Sequence, residues 1–209
     1  MIFGNLEIEI IVLLIPALVF SLSFHEFAHA WMAFRLGDDT AARLGRLTLN
    51  PMAHLDPVGS IALLLMGFGW AKPVPVDARY LSNPREDMVK VAAAGPLSNL
   101  LLAVIAALFL RFMFGSGLLT GQIKSFIIIF MQINITLAVF NLLPVSPLDG
   151  SQILSPFIEK KFGIDMVYKM ELYGPRLLFF IIIFSMFTGI HIISFIITPI
   201  FNLFLFIFF

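Results

Sequence analysis

Cysteine is absent from these 209 residues. That excludes a disulfide framework and any thiolate ligand, so a metal bound by this chain must be held by nitrogen and oxygen. Charge is scarce as well: 13 Lys and Arg balance 13 Asp and Glu, and charged residues make up only 12% of the chain. A net charge of zero offers no electrostatic footprint for a nucleic-acid partner. Also missing is a polar stretch long enough to fold as a separate soluble unit, so the chain reads as one membrane-embedded domain over 1–209. The first apolar run lacks a basic leading region, which argues against a removable signal peptide.

What is there is hydrocarbon. Hydrophobic residues make up 60% of the chain, and 24 residues are Phe, the composition of an integral, multi-pass protein whose first partner is the lipid bilayer. Apolar runs long enough to cross a bilayer lie at 8–34, 88–114 and 123–143, and a fourth apolar region covers 177–209. The last is long for one straight span, and a break near Thr188-Gly189 into two closely spaced helices is expected. Residues 59–71 are apolar but too short to cross, and Gly67 and Gly69 favour a re-entrant or interfacial segment. The expected fold class is an all-α polytopic membrane protein with about 4–6 transmembrane helices. A re-entrant or extended strand segment separates the first two long helices, and an amphipathic connection and C-terminal helices occupy 155–209. Lys and Arg number seven in 35–90 and four in 160–176, against two, Arg111 and Lys124, around the intervening connection. The positive-inside rule places the two rich segments in the cytoplasm.

Within the first run lies His25-Glu26-Phe27-Ala28-His29. A helix puts positions i and i+4 on one face, so both histidines can bind one zinc ion while Glu26, one step round, can act as a general base. The competing reading is a chance pattern in which the histidines merely hydrogen-bond to a neighbouring helix. Polar groups in hydrocarbon cost ~2–3 kcal/mol each on insertion scales, which weighs against chance. With the first helix running from outside to inside, His25 and His29 fall in its cytoplasmic half. His29 would then lie roughly 10 Å below Arg35 at about 1.5 Å rise per residue.

A catalytic zinc needs a third protein ligand, and Asp149 is the candidate. It ends Asn141-Leu142-Leu143-Pro144-Val145-Ser146-Pro147-Leu148-Asp149-Gly150, at the cytoplasmic end of the third span, where Pro144 and Pro147 would interrupt regular helix. The alternative is that Asp149 caps the helix that follows. Residues 71–80, which contain Pro73 and Pro75, cannot be helix interior and suit an extended edge strand. Such a strand could be a plain loop at the membrane surface or could pair with an extended substrate.

Together these motifs resemble the site-2 protease family of intramembrane zinc metalloproteases. The likeness rests on the His25–His29 helix, the Asn141-to-Gly150 segment and Ala94-Gly95-Pro96-Leu97-Ser98-Asn99. It extends to Gly45-Arg46-Leu47-Thr48-Leu49-Asn50-Pro51 and Lys72-Pro73-Val74-Pro75-Val76. The resemblance implies one zinc per chain on His25, His29 and Asp149, with Glu26 as general base and Asn141 near the substrate backbone or oxyanion. It also implies cleavage of transmembrane protein or peptide substrates. The chain has no room for the PDZ or CBS domains of larger members and is similar to the compact bacterial or archaeal ones. The expected location is therefore a prokaryotic cell membrane with the site towards the cytoplasm.

Other residues carry weaker claims. His54 could be an exchangeable ligand, a proton shuttle or a substrate gate, or it could be a packing histidine paired with Asp56. Asn99, inside an apolar span, needs a hydrogen-bond partner, which could be an interhelix bond or part of the catalytic centre. His191, alone in the last apolar region, reads as structural. A rival enzyme, similar to prenyl-protein proteases, would take its third ligand from Glu159 or Glu171. A metal transporter or a catalytically silent substrate-binding relative is the non-enzyme alternative, but transporters usually show paired repeats and none is visible.

Overall fold

A computed structural model describes residues 8–66, 69–113, 121–190 and 192–209. The described residues are all-helical, with a single isolated bridge, Leu55 to Ala71, in place of any strand. In chain order the helices are α1 (Ile8–Arg35), α2 (Thr40–Arg43), α3 (Pro51–His54), α4 (Pro57–Met66) and α5 (Pro84–Met113). Then come α6 (Gly121–Asn141), α7 (Asp149–Phe162), α8 (Ile164–Thr188) and α9 (Ile192–Phe208). Four of them, α1, α5, α6 and α8, are long and apolar enough to cross a membrane.

The centre of the molecule is the mutual packing of α1, α5 and α6. Its cause is visible in α5, whose buried face is made of small residues: Ala92, Ala94, Gly95, Ser98, Asn99, Ala103, Ala106 and Ala107. Between helices in lipid there is no hydrophobic driving force, so close backbone approach over small residues supplies the packing. Towards the end remote from the histidines, Leu110 of α5, Ile127, Met131 and Ile135 of α6 and Phe204 of α9 close an apolar cluster. α7 packs on α5 and on α8.

The ends of the helices have local causes. α1 stops where Gly37 takes φ +109° and Asp38 N–H donates to Ala33 O at 2.9 Å, the long-range bond of a Schellman stop. Pro84 opens α5, where a missing N–H costs nothing. α8 stops at Gly189 in the left-handed region, φ +70°, so the last apolar stretch divides where expected. α8 begins well before that stretch, however. The basic residues of 164–176 are helix formers that simply continue the span, and Gly163 (φ +84°) provides the turn from α7.

Between α1 and α5 the chain leaves as α4 and returns beside it. A Cβ on Gly59 would sit 2.2 Å from Trp70 O, so only glycine permits the return. Gly67 lies outside the described residues. Residues 72–77 form no regular element, so the strand expected over 71–80 is reduced to the isolated bridge at Ala71, and Ala78–Tyr80 close into a 3₁₀ turn capped by Asp77. Lys72 N–H donates to His54 O (2.7 Å) and Asp77 N–H to the buried Asp38 Oδ2 (2.7 Å), pinning both ends of the run. The Arg79 guanidinium, bonded to the Asp77 carboxylate, holds that group at a pKa of about 2.

Candidate metal centre

His25 and His29 lie on the buried face of α1 against α5, their ring centroids 4.6 Å apart. Each ring has one nitrogen committed to an acceptor. His25 Nδ1 donates to Asn99 Oδ1 at 2.6 Å, and His29 Nδ1 donates to the Val91 main-chain carbonyl at 2.8 Å. A neutral imidazole carries a single N–H, so both Nε2 atoms are left as lone pairs. These two lone pairs face each other at 3.0 Å.

Asp149 arrives from the other side. The irregular run 142–148 ends α6, and its turn back is so tight that a Cβ on Gly150 would lie 2.2 Å from Leu142 O. Asp149 is the first residue of α7; the N-cap is Leu148, which makes no side-chain cap bond, so Asp149 is not spent on capping. Its Oδ2 stands 3.3 Å from His25 Nε2 and 3.5 Å from His29 Nε2, is buried, and accepts no hydrogen bond.

With both rings neutral, three acceptor atoms converge with no proton between them, an arrangement that is repulsive unless a cation sits among them. The spacings of 3.0 to 3.5 Å bracket the edge of roughly 3.3 Å that a tetrahedron with ~2.0–2.1 Å bonds requires. The floor of the site is also shaped for an ion: a Cβ on Gly95 would stand 2.3 Å from His29 Nε2 and 2.6 Å from His25 Nε2. Among the described residues this is the one cluster of three or more His, Asp or Glu side chains able to hold a metal ion. Nitrogen and carboxylate donors of this number suit zinc with one position left open.

Glu26 is buried beside the pair, and its Oε2 accepts the Val74 N–H at 3.1 Å. The 72–77 run therefore passes beside the site, with the Val74 N–H turned to Glu26 and Pro73, Val74 and Val76 on the cavity wall. A cavity of about 460 Å³ joins Glu26, the three candidate ligands, Val74, Val76 and Asn141, and reaches Leu178 of α8. Asn141 donates one amide hydrogen to Leu137 O (3.0 Å) and stands on the cavity wall.

Other candidates fall elsewhere. Asn99 is fully buried behind His25 and does not line the cavity. His54 is 1% exposed, donates to Thr48 O (2.7 Å), and lies outside both the cavity and the metal cluster. Asp56 is not its partner; its Oδ1 accepts the Gly59 N–H. Glu159 is bonded to Arg85 at 2.6 Å and Glu171 lines a different cavity, so neither supplies a ligand. His191 lies outside the described residues. Sequence reasoning did not find Asn134, Ser21, the Val91 carbonyl or the floor made by Gly95. Asn134, a polar residue inside an apolar span, carries the same signal as Asn99.

Four membrane-length helices around two histidines, an aspartate and an adjoining glutamate define an integral membrane protein with a metalloprotease-type centre. The chain belongs to peptidase family M50, the site-2 protease family, whose sequence profile matches residues 13–126 and 118–185. A Bacillus subtilis protein named "Putative zinc metalloprotease YwhC" is 43% identical over 166 residues, 77% of this chain and 75% of the relative. A Mycolicibacterium smegmatis protein of the same description, Rip2, is 32% identical over 160 residues, and the match spans 72% of this chain but 59% of Rip2. The Methanocaldococcus jannaschii protein MJ0611, again so described, is 32% identical over 170 residues, 79% of this chain and 82% of its own length. No solved structure matches.

Proposed function

We propose that the protein is a zinc endopeptidase that hydrolyses peptide bonds within or near transmembrane segments of other membrane proteins, with one ion on His25, His29 and Asp149. The observation that carries the reading is the convergence of two histidine Nε2 atoms, each with its Nδ1 held by an acceptor, and the Asp149 Oδ2 on one point. A zinc ion bound there would supply Lewis-acid polarisation of the scissile carbonyl and a lowered pKa for water. Glu26, beside the ligands and facing the cavity, takes the proton from the attacking water and delivers it to the leaving amine.

The 72–77 run is the element suited to hold an unwound substrate. Its Val74 N–H faces Glu26, while Pro73 and Pro75 on either side carry no N–H. An extended substrate pairing with that N–H replaces its bond to the Glu26 carboxylate. Asn141, with a second amide hydrogen to offer, suits the substrate carbonyl. The Lys and Arg bias supports a cytoplasmic-side site, the bacterial and archaeal relatives support a prokaryotic membrane, and the close approach of Gly69 and Trp70 to Gly59 supports a re-entrant segment.

The test has two parts. Zinc per purified chain should fall sharply in Asp149→Ala. Glu26→Gln should keep zinc while cleavage of a transmembrane-segment substrate in proteoliposomes drops about 10²–10⁴-fold. Equal zinc in Asp149→Ala and the parent would overturn the ligand set. Full cleavage by Glu26→Gln would overturn the mechanism.

A further inference from the structure

His25 and His29 are oriented by different means. His29 leans on a main-chain carbonyl, which no substitution of a side chain can remove. His25 depends on the Asn99 side chain, and an amide can face either way. If Asn99 turned its NH₂ to the ring, Nδ1 would become an acceptor, the proton would move to Nε2, and a lone pair would be lost from the metal centre.

What holds the amide the right way round lies deeper. Asn99 Nδ2 donates to the Ser21 main-chain carbonyl (3.2 Å) and to Asn134 Oδ1 (2.9 Å). Asn134 Nδ2 donates in turn to Ser21 Oγ (2.8 Å) and to the Phe130 main-chain carbonyl (2.8 Å). The Ser21 hydroxyl proton is given to Ala17 O (2.7 Å), so toward Asn134 its oxygen is an acceptor. Ser21, Asn99 and Asn134 are all completely buried, with no solvent to repair a wrong orientation. Turning Asn99 alone would set its Oδ1 against Ser21 O and Asn134 Oδ1. Turning Asn134 as well would set that oxygen against Phe130 O. Main-chain carbonyls accept and never donate, so they fix the sense of every bond in the chain.

We infer that Asn134 is a positioning residue for the metal centre: from α6 it sets the direction of the Asn99 amide, which keeps the His25 proton on Nδ1 and Nε2 open for the ion. The inference rests on the metal reading above. It places a determinant of zinc affinity outside the cavity, touching neither ligand, ion nor substrate. Outer partners of metal-bound histidines typically change affinity by about 10–100-fold when removed. Because Ser21 O also holds Asn99, the lower end applies here.

The experiment measures zinc affinity by chelator competition, and the tautomers of the histidines by ¹⁵N NMR on metal-free, ¹⁵N-His-labelled protein, for the parent, Asn134→Leu and Ser21→Ala. With four histidines in the chain, single His→Gln variants assign the signals. Asn134→Leu is expected to bind zinc about tenfold more weakly and to show a larger Nε2–H population at His25 than the parent, with His29 unchanged. A general loosening would move both histidines together. Should Asn134→Leu fail to fold, Ser21→Ala decides, with the same change in smaller measure. The inference is overturned if the folded variant keeps the parent's affinity and the parent's His25 tautomer populations, or if His29 shifts equally. A parent that binds no zinc but shows Nδ1–H at His25 would sink the metal reading and leave the relay standing.

Discussion

Replacing Gly95 by alanine tests the metal centre with one carbon atom. The new Cβ would stand 2.3 Å from His29 Nε2 and 2.6 Å from His25 Nε2, where unstrained contacts need roughly 3.5 Å. One side must therefore move by about 1 Å. The rings have little freedom to do so, since His25 is tied to Asn99 and His29 to Val91 O on the same helix as the intruding methyl. At an open helix position Gly→Ala stabilises by about 1 kcal/mol, whereas overpacking a filled core costs ~1–3 kcal/mol. Here the strain falls on the two atoms that face the ion. Each 1.4 kcal/mol is about tenfold in a binding constant, so zinc affinity should fall by about 10–100-fold.

Chelator competition on purified protein reads the change directly. Gly121→Ala is the control, because a Cβ there meets nothing within 4 Å. If Gly95→Ala raises the melting temperature and leaves zinc affinity unchanged, α5 is not the floor of the site and the geometry argued above is wrong.

Two further outcomes can be checked on the same preparations. Val74→Pro removes the N–H that meets Glu26, so KM for a transmembrane substrate should rise several-fold with zinc content unchanged; unaltered kinetics would leave the 72–77 run without a role in binding. The Asp77 carboxylate is depressed from 3.8 to about 2 in the folded chain by Arg79. Its stabilising contribution is therefore complete above pH 3.8 and is lost only as pH falls towards 2. Between pH 5 and 8 the thermal stability of Asp77→Asn should run parallel to that of the parent, and a difference that changes across that range would contradict the assignment.

The legible part of the site was the part written in local spacing. Two histidines four apart in an apolar helix need only helical geometry to meet, and two prolines ahead of Asp149 announce an interrupted helix. Asp149 needed one more step, that both segments arrive at the same face of the membrane, and the charge bias supplied it. The partners of the histidines were harder because they come from other helices at a depth and rotation that no periodicity records. Asn99 was noticed as a polar group in hydrocarbon, but its direction, behind His25 rather than into the cavity, depends on the rotation of α5 about its own axis. Asn134 carries the same signal as Asn99 but names no partner, and Ser21 is silent because a serine hydroxyl can bond within its own helix, as it does to Ala17 O. His54 packs in the loop, as one reading of the sequence has it, but on Thr48 O and beside Lys72 rather than on Asp56, because the bridge of Leu55 to Ala71 brings the chain back against it. The division of the last apolar stretch was legible in Gly189, since a left-handed stop is what glycine alone adopts at little cost.

The two halves of the metal centre are held with different stiffness, and this sets the last test. His25 and His29 belong to α1, locked against α5 and α6 by small-residue packing and the buried amides. Asp149 belongs to α7 and is carried by the irregular 142–148 run. That run is braced from the far side by α8: a Cβ on Gly174 would lie 2.7 Å from both Ser146 O and Ser146 Cβ and 2.9 Å from Ser146 N. Gly174→Ala must therefore push the run and α8 apart, although Gly174 touches neither ion nor ligand. An irregular segment yields more readily than a packed helix, so the cost belongs near the lower end of overpacking, about 1 kcal/mol, or roughly fivefold in zinc affinity. The loss should come entirely through Asp149. In Asp149→Ala, where that ligand is already gone, adding Gly174→Ala should change the residual affinity no further. An equal loss in both backgrounds would show that α8 acts on the histidine pair instead, and that Asp149 is held by α5 alone.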